Sequence, residues 1–180
     1  KKGGIIIKNK IFFLIAIFGI FLFNITKVNA QTNFYEAEMI NNIYMVKYQP
    51  STKTKFYQKA RFFRRSGDNQ AAYCLEPFNT FRESSYTETI NPRNLSTQQL
   101  ERIKKIVAYG YSYGDNHSDN KWYAITQLMI WQTADPSGDY YFTDTLNGNR
   151  INPYQNEINE INSLIEKSSI LPSINNKDYY

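Results

Sequence analysis

Two side chains in this sequence have types that could react with each other. Cys74 is the only cysteine, and Gln127 sits in Tyr123-Ala124-Ile125-Thr126-Gln127-Leu128-Met129-Ile130-Trp131, where nearly every other side chain is apolar. At helical spacing Tyr123, Ala124, Ile130 and Trp131 share the side of Gln127, at i−4, i−3, i+3 and i+4. The carboxamide is therefore expected to be buried, and an unpaired buried amide costs about 1–3 kcal/mol. One way to satisfy it is hydrogen bonding to a strand backbone. The other removes the amide: the Cys74 thiolate attacks the side-chain carbonyl, ammonia leaves and a thioester remains. A thioester is an acylating agent that stores reactivity until a nucleophile arrives. An aromatic wall of Tyr73, Tyr123 and Trp131 would keep water from it.

Other chemistry-bearing residues read more plainly. His117 is the only histidine and stands in the polar loop Gly114-Asp115-Asn116-His117-Ser118-Asp119, so it reads as a solvated loop residue. Its functional alternative is a general base, which would make the chain a secreted Cys/His acyltransferase or protease with Cys74 as nucleophile. A third reading is an ordinary surface module whose Cys74 is a buried, inert thiol. Asp115, Asp119 and Asp144 offer oxygens without the spacing of a calcium loop, and no metal or other cofactor is expected. Arg61, Arg64 and Arg65 read as a solvated strand face. The 15 Tyr and 12 Phe come with no nucleic-acid motif.

The elements that must position the pair can be read from pattern. Residues 33–90 read mostly as strands. Residues 34–40 and 43–48 flank Asn41-Asn42, the kind of pair a tight hairpin turn accepts. Residues 55–65 and 70–76 flank the turn cluster Ser66-Gly67-Asp68-Asn69, which places Cys74 on a strand stopped by Pro77. Residues 95–166 read as three helices. The first opens with a capping box, Ser96 with Gln99, and a staple of Leu95 on Leu100, and ends at Gly110. The second runs from about Asp119 to Thr133. The third opens at Asn152-Pro153 and buries Tyr154, Ile158, Ile161, Leu164 and Ile165. Strands followed by helices predict an α+β fold, an antiparallel β sandwich or barrel-like sheet with about three helices packed against it.

Residues 1–30 have the marks of a secretory signal peptide: Lys1, Lys2, Lys8 and Lys10, then an apolar run over residues 11–23, then Val28-Asn29-Ala30. That run falls short of the roughly 20 apolar residues of a membrane span, although an uncleaved anchor is the alternative. The leader carries five of the 21 Lys and Arg and none of the 16 acids. The mature part 31–180 is thus neutral overall, which removes the argument for nucleic acid or anionic membrane as a partner. It has the size of one domain. The absent initiator Met and the strand-like residues 174–180 lead us to expect a fragment truncated at its C-terminus.

Tyr73-Cys74-Leu75 and Thr126-Gln127-Leu128-Met129-Ile130-Trp131 resemble the two signature motifs of the bacterial thioester domain family. There an aromatic residue precedes the Cys, and Thr-Gln is followed by two residues, an aliphatic one and Trp. The order matches too, and the likeness spans roughly residues 33–175. The resemblance implies a Cys74–Gln127 thioester, with Tyr73, Tyr123, Thr126 and Trp131 shielding or positioning it. It also implies display at the tip of a cell-wall-anchored adhesin of Gram-positive bacteria. The Gln127 acyl group would pass to a Lys amine of a host surface or extracellular-matrix protein. That is single-use binding rather than turnover.

Overall fold

The first strand, β1 (Gln31–Gln49), runs far longer than the sequence pattern suggests, and the rest of the sheet is laid along it. In the computed structural model the described residues are 31–78, 85–87 and 93–168. The segment 1–30, expected to be a signal peptide, and the strand expected at residues 174–180 lie outside them.

β1 returns through the turn at residues 50–53 into β2 (Thr54–Arg65), antiparallel to it from Gln49↔Thr54 to Phe34↔Arg65. The hairpin expected at Asn41-Asn42 does not form there. Both halves of β1 pair with β2, and the register steps from Met39↔Arg61 to Tyr44↔Lys59 across a bulge. Asn42 takes the left-handed conformation, φ 60°, that such a residue tolerates. The bulge has a packing cause. Ile40 and Ile43 are both buried, yet a spacing of three is out of phase for a plain strand, and the extra residues restore the phase.

After a turn with Gly67 and Asn69 at positive φ, β3 (Ala71–Ala72) pairs with β2. β5 (Asp139–Thr143) pairs with the other side of β1, and β6 (Arg150–Ile151) with β5. The order is β3-β2-β1-β5-β6, with β4 (Ser85–Thr87) also against β1. The antiparallel sheet is open and is not closed into a barrel. β5 and β6 fall inside the stretch read as helical, although Tyr140-Tyr141-Phe142-Thr143 has strand composition.

Three helices complete the α+β fold. α1 (Thr97–Tyr109) begins with the expected capping box: Gln99 N–H donates to Ser96 Oγ at 3.2 Å and Ser96 N–H to Gln99 Oε1 at 3.0 Å. Gly110 ends it for a reason of space, since a Cβ there would collide with Thr126 Oγ1. α2 (Asn120–Ala134), capped by Asp119, is buried on nearly every side because β2, β5, α1 and α3 (Gln155–Lys167) all pack on it. That explains a helix with almost no polar face. α3 starts two residues later than the Asn152-Pro153 reading, at N-cap Tyr154 and without a capping side chain. The Tyr154 ring packs edge-on against Phe142 at 5.1 Å. Ile161 and Ile165 are buried; Tyr154, Ile158 and Leu164 are only partly so. Among the described residues no helix is long and apolar enough to cross a membrane.

Candidate functional site

α2 presents three side chains one turn apart toward the end of the sheet edge. Tyr123, fully buried, reaches into the β2–β3 seam: its hydroxyl donates to Ala72 O at 2.6 Å and accepts from Phe63 N–H at 3.2 Å. Tyr73 stacks on the same ring, centroids 5.0 Å apart at 16°. Burial pushes the phenols of Tyr73 and Tyr123 well up, so both stay neutral. Four residues on, Gln127 is 2% exposed. Four further, the Trp131 indole lies on Phe78, centroids 5.4 Å apart.

β3 ends at Ala72, so Cys74 sits just beyond the strand on which it was expected. There its backbone and the Gln127 carboxamide satisfy each other. Cys74 N–H donates to Gln127 Oε1 at 2.9 Å, and Gln127 Nε2 donates to Cys74 O at 2.8 Å. The same carbonyl accepts the Trp131 Nε1 proton at 2.8 Å. The buried amide is thus paired with a strand-end backbone, and that backbone belongs to the one residue carrying a thiol. Cys74 is partly exposed; its Sγ donates to Glu76 O at 2.9 Å. Burial raises the thiol pKa and the Glu76 charge adds to the rise, while Arg93 acts against it. Arg93 is held by its own bond to Leu75 O, 2.8 Å. Beside Gln127 the crevice bounded by Met45, Ala60, Phe63, Tyr123 and Trp131 holds about 10 Å³, room for about one water.

Thr126, next to Gln127, anchors the helix. Its hydroxyl donates to Trp122 O at 2.7 Å and accepts Tyr111 N–H at 2.9 Å, tying the α1–α2 loop to the residue before Gln127. The Tyr111 ring then meets Phe62 and Tyr123 edge-on. Tyr73, Cys74, Tyr123, Gln127 and Trp131 therefore come together, with Thr126 next to Gln127. Phe78, Arg93 and Tyr111 join the site without having been read from sequence. Phe78 follows Pro77 and has positive φ, 64°, and only the fold brings the other two near.

His117 is not the solvated loop residue that its neighbours suggest. It is 2% exposed and stacks on Trp122 with centroids 3.5 Å apart. Nδ1 lies 2.9 and 3.0 Å from the carbonyls of Tyr109 and Gly110, and so carries the proton it gives them; Nε2 lies 3.3 Å from Glu160 Oε1. These contacts close the end of α1 against α2 and α3, a different place from the partners of Cys74. The arginine cluster is paired rather than simply solvated. Arg61 meets Glu36 at 2.9 Å, Arg64 lies over the Phe62 ring, and Arg65 bonds Asp68. Among the described residues no three His, Cys, Asp or Glu side chains converge as a metal site would require.

Fold and site together define an α+β module that pairs a buried carboxamide with the backbone of its cysteine. Residues 71–169, more than half of the chain, match the thioester domain family, and the chain belongs to that family. No curated protein and no solved structure matches it.

Proposed function

We propose that Cys74 and Gln127 form an internal thioester, and that this module uses it once to bind a ligand covalently. The observation that carries the reading is the reciprocal pair of hydrogen bonds between the Cys74 backbone and the Gln127 carboxamide. It fixes the acyl carbon beside the residue that bears the nucleophile, which is the geometric requirement for an intramolecular attack. The Cys74 thiolate adds to Gln127 Cδ, and the charge that develops on Oε1 is met by the Cys74 N–H already aimed at it. The C–N bond then breaks, and Nε2 leaves as ammonia with the proton that the thiol has given up. In the second stage a primary amine adds to the same carbon. One of its protons passes to the departing sulfur, and an amide to Gln127 and a free Cys74 thiol remain. The expected amine is a Lys side chain of a host surface or matrix protein, and the expected setting is a secreted adhesin displayed on a Gram-positive cell wall. The N-terminal basic and apolar segment and the family membership support that setting.

Intact mass of residues 31–180, before and after methylamine, tests this beside Cys74→Ala. The variant is needed because Gln31 can also lose ammonia by cyclising. The wild type alone should lack one further ammonia and then gain methylamine at Gln127. Equal losses in both proteins, with a titratable Cys74 thiol, would remove the thioester from consideration.

A further inference from the structure

The Cys74 carbonyl accepts two protons, and the proposed reaction removes one of the donors. Gln127 Nε2, at 2.8 Å, departs as ammonia; Trp131 Nε1, also at 2.8 Å, does not. The sulfur that replaces Nε2 on the acyl carbon has no hydrogen to offer. The indole is 3% exposed and Gln127 2%, so both donors reach this carbonyl from the side closed to bulk water, and the small crevice beside Gln127 is not lined by Cys74. A buried carbonyl left without a donor is costly, whereas one that keeps a single good donor is not.

We infer that Trp131 is a positioning residue whose indole N–H holds the Cys74 carbonyl after ammonia has left, and so keeps the strand end in place while the thioester exists. The inference rests on the thioester reading. Before the reaction the indole N–H is the second of two donors; afterwards it is the donor that remains. Its importance therefore depends on the chemical state of Gln127, which an ordinary packing residue would not show. The neighbours of the ring, Phe78 at 5.4 Å and Tyr140 at 6.1 Å, touch it in either state.

A double-mutant cycle reads this dependence. Trp131→Phe removes the donor and shrinks the ring, and the lost packing is common to every background. In Cys74→Ala the carboxamide stays and the residue 74 carbonyl keeps the Gln127 donor, so Trp131→Phe should cost packing and one of two hydrogen bonds without orphaning the carbonyl. In the thioester form the same substitution orphans the carbonyl. Urea unfolding of the four proteins, with thioester content checked by intact mass, should show the folding constant falling about tenfold further in the thioester background. A Trp131→Phe chain that stays folded in both backgrounds but retains its ammonia would support the inference as well, since the defect then appears only when the carboxamide must leave. Full thioester formation with equal losses in the two backgrounds would overturn it and leave the thioester standing. A wild type without the ammonia loss would instead sink the thioester reading, and this inference with it.

Discussion

Tyr123→Phe isolates the polar part of the wall behind Gln127. The ring is fully buried, stacks on Tyr73 and lies 4.1 Å from Phe62 between centroids. Phe keeps that ring and its contacts, so only the hydroxyl is removed. The hydroxyl bridges two backbone groups across the β2–β3 seam, giving its proton to Ala72 O at 2.6 Å and accepting from Phe63 N–H at 3.2 Å. An average net hydrogen bond is worth about 1 kcal/mol, but removing one partner and leaving a buried carbonyl without its donor costs about 1–3 kcal/mol. With the long Phe63 bond counted low, we expect a loss of about 2–3 kcal/mol. For a domain of this size each kcal/mol lowers Tm by about 2–4 °C, so the melting point should fall by roughly 5–10 °C. The strand end that loosens is the one leading to Cys74, and the fraction of chains lacking ammonia should fall in parallel. Urea denaturation gives the free energy, calorimetry the Tm and intact mass the thioester content. A Tyr123→Phe protein within about 0.5 kcal/mol of wild type, the range of ordinary surface changes, would show that the bridge does not hold the seam.

Two further expectations follow from charge. Arg93 opposes the upward push on the Cys74 thiol, so Arg93→Gln should raise that pKa further. The pH at which thioester formation becomes fast should then move up, followed as ammonia loss against time across a pH series, with Arg93→Lys restoring part of the shift. Asp135 is partly buried, which disfavours its charge, yet Lys47 at 2.8 Å and the hydroxyls of Ser137 and Tyr140 more than offset this and hold its carboxyl below the usual range. A carboxylate depressed in the folded state stabilises above its unfolded pKa of about 3.9 and loses that contribution as pH falls through the folded value. Urea midpoints should therefore decline below about pH 4, and Asp135→Asn should lower the neutral-pH midpoint while flattening that decline.

How much of this was legible in the sequence depends on how far each residue's partners lie along the chain. The α1 capping box is read from Ser96 and Gln99 because its two hydrogen bonds close within three residues. The burial of Gln127 is read from its own helical neighbours in the same way. Asn41-Asn42 misleads because a left-handed residue serves a hairpin turn and a bulge equally well. Only the pairing of both halves of β1 with β2 decides between them. His117 misleads more deeply. Its neighbours are turn-forming and polar, but its environment is made by Tyr109, Gly110, Trp122 and Glu160, the last 43 residues away.

The site itself sits between these cases. The sequence names Cys74 and Gln127 by type, and 53 residues separate them. Neither local pattern contains the contact that matters, which runs from the backbone of one to the side chain of the other. That contact needs β3 to end at Ala72 and α2 to cross that end with Tyr123, Gln127 and Trp131 in one file. The file follows from helical periodicity alone, since i, i+4 and i+8 fall on one side of a helix. The strand end does not, because it is set where the Tyr123 hydroxyl enters the β2–β3 seam. A side chain that both ends a strand and stands one turn before the acyl group couples the fold to the chemistry. Changes at Tyr123 should therefore be felt in stability and in thioester content together, whereas at Arg93 the pH shift of thioester formation separates the charge effect from the loss of the bond to Leu75 O.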